Sequence, residues 1–396
     1  MLPGKLSEIN AATLQAACAD QWPETDTLDF KLALPGNTDP QREEFLKDVA
    51  AFANASGGDL VYGVAETTAR ASRLKLIVAA TNAPDAEKRR LGQLLDGGIE
   101  PRIPGIELQA VPIQGADYVL IVRVPSSFLR PHCCKAGSFM RWPVRAGTRT
   151  AYFTYDQLRD AFDRTATLQQ RATQFRAERL AGILAGTKGR PLRRGAKCVV
   201  HLIPLAAIAG KVSIDVRALY QAGVADFMFR DWGGGSRALN LDGYVTHPGD
   251  HRAGQAYIQV FRSGVMETAR HIGAVNGPEG EEGRLIPSIT ASQLIRDAIE
   301  MFIRSAQRLG INGPAIISVA ILDALGYLFA FAANHGFMEQ RPVDRAEMIF
   351  PEQWIEQIGD LSDIDAVARP LLNTLWQAFD IEQCYLYSES GTWQPG

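Results

Sequence analysis

The chain has 396 residues, enough for two or three domains. Its 46% hydrophobic and 21% charged residues are those of an ordinary soluble globular protein. Five cysteines, an odd count without framework spacing, argue against a disulfide scaffold and for a reducing, cytoplasmic setting. The N-terminal segment lacks the apolar core of a secretory signal. The most apolar run, Pro314 to Asn334, contains Asp323 and is broken at Gly326, so it reads as a strand and then a buried helix or turn, not a membrane span. The net charge of −3 conceals a segregation. Residues 123–194 carry 15 Lys/Arg against 4 Asp/Glu, whereas residues 1–122 carry 11 against 17. Such a basic band suits a phosphate backbone, although a basic helix is also an ordinary solvated face.

In chain order, alternation around Leu28 and Phe30 predicts a short strand with Asp29 and Lys31 on its other face. A helix over about Arg42 to Asn54 follows, then a buried strand from Asp59 to Val64 with Glu66 just past its end. If the two strands are neighbours, Glu66 approaches Asp29, and Glu24 folds back from the preceding loop. Three carboxylates and a lysine are what a protein needs to hold a divalent metal against a phosphodiester. Without a cation, such a trio would raise its own pKa values by repulsion. Read blandly, Phe52 to Asp59 is a helix end with a glycine exit, and Asp59 is a solvated turn residue.

Farther on, Leu74 to Ala79 reads as a strand, Asp85 to Leu95 as a helix, and Ile106 to Pro112 with Tyr118 to Val124 as adjacent strands. Phe139 to Arg145 reads as an edge strand with Pro143 in it, completing a sheet of five or six strands that closes near Tyr155. Phe139, Arg141 and Pro143 would share a face, with Trp142 opposite. Lys135, Arg141, Trp142, Arg145 and Arg149 form a cationic surface with an aromatic, suited to exposed bases. His132-Cys133-Cys134 has neither the spacing of a metal site nor an orienting partner for a Cys–His pair, and is read as a loop. Asp156 to Leu184 is helical, with an apolar stripe through Leu158, Phe162, Ala166, Leu168 and Phe175. Residues 186–195 have linker composition.

The fold class is α+β: a mixed-sheet domain over 1–155, a basic helix and linker over 156–195, and a second α+β domain over 196–396. The second half opens with an apolar strand, Cys198 to Pro204, on which Cys198, beside His201, is read as a packing residue. A strand near Tyr257 to Arg262 and a helix over about Thr290 to Arg308 follow. No Walker-type phosphate loop and no catalytic constellation is evident there.

The run from Glu24 to Lys31, with Phe52-Ala-Asn54-Ala-Ser-Gly57-Gly58, resembles the Schlafen-type AlbA-like family, whose pattern is E-x4-E-F-K, A-F-A-N-x-x-G-G and a G-V-D-D turn. Pro125 to His132 and Phe139 to Arg145 extend the resemblance over roughly residues 20 to 155. By that resemblance Glu24, Asp29 and Glu66 occupy the metal-holding positions of the members that cut RNA. Here Asp29 replaces a Glu, and the turn reads Val64-Ala65-Glu66. The implied function is an endoribonuclease dependent on Mg²⁺ or Mn²⁺, with transfer-RNA-like substrates and a homodimer completing the cleft. Lys31 would neutralise charge on the phosphorane oxygens. The alternatives are a non-catalytic DNA- or RNA-binding module, such as a transcriptional regulator, and a ligand-gated protein of stress or phage defence. The region after the linker resembles one that often follows AlbA-like domains in bacterial proteins, with no role assigned.

Overall fold

The computed structural model describes all residues except 137–138, 250–253, 274–283, 331–341, 360, 389 and 395–396, and the side chains at 136, 139 and 165. The later part of the apolar run to Asn334, and the side chain of Phe139, therefore lie outside the described residues. Two compact units divide the chain, Met1–Thr167 and Leu168–Gly396. The division falls inside a long helix, not in the glycine-rich stretch expected to separate domains. Lys188 N–H donates to Gly182 O, and Arg193 N–H to Gly254 O, so that stretch is tied into the second unit.

The first unit is α+β. It contains α1 (Ala11–Ala19), β1 (Leu28–Lys31), α2 (Asp39–Ala53), β2 (Gly58–Tyr62), β3 (Val64–Glu66), β4 (Ala71–Leu74) and α3 (Pro84–Gly98). Then come β5 (Ile99–Glu100), β6 (Glu107–Gln114), β7 (Asp117–Val124), β8 (Cys133–Ala136), β9 (Phe139–Arg141), β10 (Pro143–Ala146), β11 (Arg149–Tyr152) and the start of α4 (Tyr155–Leu184), which belongs to the second unit from Leu168 on. The main sheet has four strands in the order β1-β2-β7-β6, with β1 parallel to β2 and the other pairs antiparallel. It is smaller than the five or six strands expected. Gly63, at φ 98, turns the chain out of the sheet after β2, and β3 pairs with β4 instead. Residues 75–79 form no strand; they meet the sheet at the Ile77–Tyr118 bridge and through Ala79 N–H, which donates to Asp117 Oδ1 at 3.0 Å. The expected strand over 139–145 is split at Trp142: β9 pairs with β8 and β10 with β11. Pro143 has no N–H to continue a ladder.

Period-two alternation places Leu28 and Phe30 in a core with Leu2, Leu6, Ile9 and Leu14. The opposite sheet face packs Leu60, Tyr62 and Leu120 against Phe45, Val49 and Phe52 of α2 and Leu91 of α3. Asp29 and Lys31 lie on this α2 side, in register with Leu60 and Tyr62. The motif Asn54-Ala-Ser-Gly57-Gly58 is largely architectural. Gly57 sits at φ 77, where a Cβ would come 2.7 Å from Ser126 N, and a Cβ on Gly58 would strike the Phe52 ring. Buried Asn54 clips the end of α2 to two later segments: its amide donates to His132 O (2.8 Å) and Pro143 O (2.7 Å), and its Oδ1 accepts from His132 N–H (2.7 Å).

The second unit contains β12 (Lys197–Pro204), short helices α5 (Leu205–Ile208) and α6 (Val216–Ala222), β13 (Ser236–Leu239), β14 (Gly243–His247), β15 (Ala256–Phe261) and β16 (Met266–His271). It continues through β17 (Leu285–Pro287), α7 (Ser288–Arg308), β18 (Ala315–Leu322), β19 (Leu328–Ala330), β20 (Glu347–Ile349), β21 (Gln353–Ile355) and α8 (Asp365–Gln377). Its main sheet runs β13-β14-β15-β16-β12-β18-β20, with β21 also on β18. Cys198 is buried packing, as expected, but His201 is more than that. Across three strands Ser318, His201 and Glu267 stand in register. Fully buried Glu267 accepts from Arg179 Nε (2.8 Å) and Nη2 (2.7 Å) and from the Tyr257 hydroxyl (2.8 Å), and His201 Nε2 lies 2.9 Å away. Burial pushes the Glu267 carboxyl up, but the bonds and charges of Arg179 and His201 outweigh it and leave it at about 2.

Candidate functional site

The site forms at the edge of the first unit's sheet. As the edge strand, β1 leaves the Phe30 N–H without a strand partner, and Glu24 Oε1 accepts it at 2.9 Å. Glu24 N–H in turn donates to Ala69 O in the turn between β3 and β4. That contact brings Glu66, exposed at the end of β3, within electrostatic reach of Glu24. Glu24 and Asp29 share a side-chain hydrogen bond, which the protonated form of Glu24 donates. Burial foremost raises the Glu24 carboxyl to about 7. The Phe30 N–H opposes the rise, and the charge and bond of Asp29 and the charge of Glu66 add to it.

Buried Asp29 is held from its other side by cations. Lys31 Nζ lies 3.2 Å from Oδ1, and Arg145 Nη1 donates to Oδ2 at 3.1 Å. The same lysine lies 3.3 Å from Asp48 Oδ2 on α2. Burial raises the Asp48 carboxyl, against the pull of Lys31. For Lys31, burial works to lower the ammonium pKa, but Asp48 and Asp29 lift it above its usual value. Sequence reasoning missed Asp48. The signal was its place on the inner face of α2, where a carboxylate is retained only with a partner.

Arg145 does not belong to the exposed surface assigned to it. Its guanidinium lies 4.8 Å from the centre of the Phe52 ring and is only 3% exposed as a side chain. It positions Asp29; it does not present itself to a nucleic acid. The other members of that surface are accessible: Lys135 is exposed 3.8 Å from Glu100, Arg141 is exposed over the Tyr152 ring, Arg149 is exposed, and Trp142 is half-buried. Asp59 is likewise no solvated turn residue. It is fully buried, accepting Leu2 N–H (2.7 Å) and two Arg123 bonds (2.8 and 2.9 Å). The basic band is thus partly consumed internally: Arg123, Arg145, Arg176 and Arg179 pair with Asp59, Asp29, Glu352 and Glu267. His132, expected in a loop, precedes β8 and is buried, its Nδ1 2.6 Å from Pro101 O, with burial lowering its pKa to about 4.

Among the described residues no three His, Cys, Asp or Glu side chains are grouped closely enough to cage an ion. The trio Glu24, Asp29 and Glu66 is gathered to one end of the sheet, but only the first two are in direct contact. A two-carboxylate set still fits Mg²⁺, which is commonly held by one or two carboxylates together with substrate phosphate oxygens, and Mn²⁺ accepts the same hard donors. No helix of the described residues is long and apolar enough to cross a membrane.

No curated protein matches the chain. Solved structures similar to parts of it include the following two. The N-terminal domain of a RecG-related protein from Nitrosomonas europaea is 20% identical over 38% of this chain and 92% of that one, with a TM-score of 0.27. The DIP2311 protein from Corynebacterium diphtheriae is 17% identical over 58% of this chain and 36% of that one, with a TM-score of 0.25. Residues 24–152 match the family described as Schlafen, AlbA_2, a family related to nucleic-acid function. The matched segment takes in all three carboxylates, Lys31, Asp48 and Arg145. The first unit of this chain therefore carries a Schlafen AlbA_2 domain.

Proposed function

We propose that the first unit binds RNA and cleaves its phosphodiesters at the Glu24–Asp29 pair with Mg²⁺ or Mn²⁺, on substrates resembling transfer RNA. The observation that carries this reading is the contact between Glu24 and Asp29 with Lys31 beside them, inside a segment that matches a nucleic-acid-related family. Glu24 and Asp29, with Glu66 at the rim, would hold the ion, which supplies a polarised scissile phosphate and an acidified water. Burial and the neighbouring carboxylates raise Glu24 to about 7 without a cation, and a bound ion would hold it ionised as a ligand. Asp29 is fixed by Arg145, so its carboxylate does not swing during the reaction. Lys31 has three donors and two carboxylate partners, which leaves one for a phosphate oxygen. Losing such a donor costs on the order of a hundredfold in rate. Exposed Lys135, Arg141 and Arg149 would engage the flanking backbone, and a second copy would complete the cleft.

The test incubates the protein with total transfer RNA or duplex DNA, with Mg²⁺, Mn²⁺ or a chelator, and compares Glu24→Ala and Asp29→Ala. Cleavage that requires metal and is lost in both variants supports the reading. A second reading, a non-catalytic nucleic-acid-binding module, is favoured by one observation: Asp29 is already neutralised by Lys31 and Arg145. Binding kept by both variants, with no cleavage under any condition, would establish it instead.

A further inference from the structure

A cleft of about 360 Å³ opens beside this site, between residues 32–37, which follow β1, and residues 75–82. Its size is at the lower end for small-molecule sites and exceeds what a single base ring needs. Leu32 and Val78, one from each segment, are 53% and 48% exposed and offer apolar surface to the cleft. Asn37 Oδ1 accepts from Arg90 (3.4 Å) and Asn82 Nδ2 donates to Thr81 Oγ1 (3.2 Å), which leaves Asn37 Nδ2 and Asn82 Oδ1 for a base edge. The wall behind Asn37 is fixed, because Arg90 donates to Pro35 O (2.7 Å) and to Glu87 (2.9 Å).

Backbone hydrogen bonds join the cleft to the site. Gly63 N–H donates to Lys31 O, and Lys75 N–H donates to Gly63 O, each at 2.8 Å. Both walls therefore start from the strand end that carries Lys31. We propose that this cleft takes one unpaired nucleobase of a strand whose phosphate lies at Lys31, held between Leu32 and Val78. The proposal rests on the nucleic-acid reading of the Glu24–Asp29 site and deepens it. The base must leave its stack to enter, so the substrate is single-stranded at that nucleotide.

The experiment uses the full chain in chelator, so that nothing is cut. A single-stranded oligoribonucleotide carrying one 2-aminopurine is followed by fluorescence and by anisotropy, in wild type, Leu32→Ser and Val78→Ser. Both side chains are about half exposed, so the variants should fold, which melting curves check. We expect the 2-aminopurine signal to change on binding and affinity to fall about tenfold in each variant, roughly the worth of one lost apolar contact surface. The same oligonucleotide annealed to its complement should bind more weakly than the single strand. Unchanged affinity in both variants, with anisotropy still reporting binding, overturns the cleft and leaves the cleavage site standing. No binding of any oligonucleotide overturns both.

Discussion

Replacing Glu267 by Gln isolates a fully buried ion-pair cluster of the second unit. The carboxylate is fully buried, accepts three bonds from Arg179 and Tyr257, and has His201 Nε2 at 2.9 Å. Glutamine keeps the volume but removes the charge, leaving the buried Arg179 guanidinium without its main counterion. Breaking one partner of a buried ion pair costs about 3–5 kcal/mol. For a unit of this size that corresponds to a fall in melting temperature on the order of 10 °C. Calorimetry measures the shift, and hydrogen exchange over β12 and β16 assigns the transition to this unit. The acid limb gives a second readout. Glu267 sits at about 2, below its unfolded value near 4.5, so its stabilisation is complete above pH 4.5 and is lost as pH falls towards 2. The variant should lose part of that acid sensitivity. Combining Glu267→Leu with Arg179→Met should cost less than the sum of the single changes, because no charge is then stranded. A Glu267→Gln protein that melts within 2 °C (about 1 kcal/mol) of wild type, or strictly additive losses in the double variant, would refute the reasoning.

In the first unit, the Glu24 carboxyl lies above its unfolded value, so stability should decline as pH rises from about 4.5 through 7. Glu24→Gln should flatten that decline and melt higher than wild type at pH 8, read from melting curves at pH 5 and 8; an equally steep decline in the variant contradicts the assignment. Arg145→Ala should destabilise the unit by about 3 kcal/mol in urea unfolding, since it strands buried Asp29 and uncovers Phe52. Arg149→Ala should leave unfolding unchanged and reduce the salt dependence of RNA binding by about one phosphate contact. Asn54→Ala removes three buried bonds and should cost about 3 kcal/mol, with exchange protection lost at His132 first.

Local pattern made much of this molecule legible. The alternation at Leu28 and Phe30 identified β1 and its faces, and apolar runs identified β2, β7 and β12. Long periodic stretches identified α2, α3, α4 and α7. The spacing from Glu24 to Asp29, with the Gly57-Gly58 exit, marked the segment that matches the Schlafen AlbA_2 family. These signals are carried by neighbours in sequence, so a reader of the chain can see them.

What the chain could not show was which charges would meet. Arg145 looked like an exposed cation because its strand has polar neighbours, yet β10 is pinned to α2 through Asn54, and that places the guanidinium over Phe52 and against Asp29. Asp59 read as a solvated turn residue and Asp48 drew no notice until the fold gave them Arg123 and Lys31. Glu267, 66 residues from His201, became its partner only when β12 and β16 came into register. Apolar periodicity is a property of a segment and survives in any context that buries one face. A charge is tolerated inside only if a distant counterion arrives with it, so the fate of each buried carboxylate was settled by tertiary pairing alone.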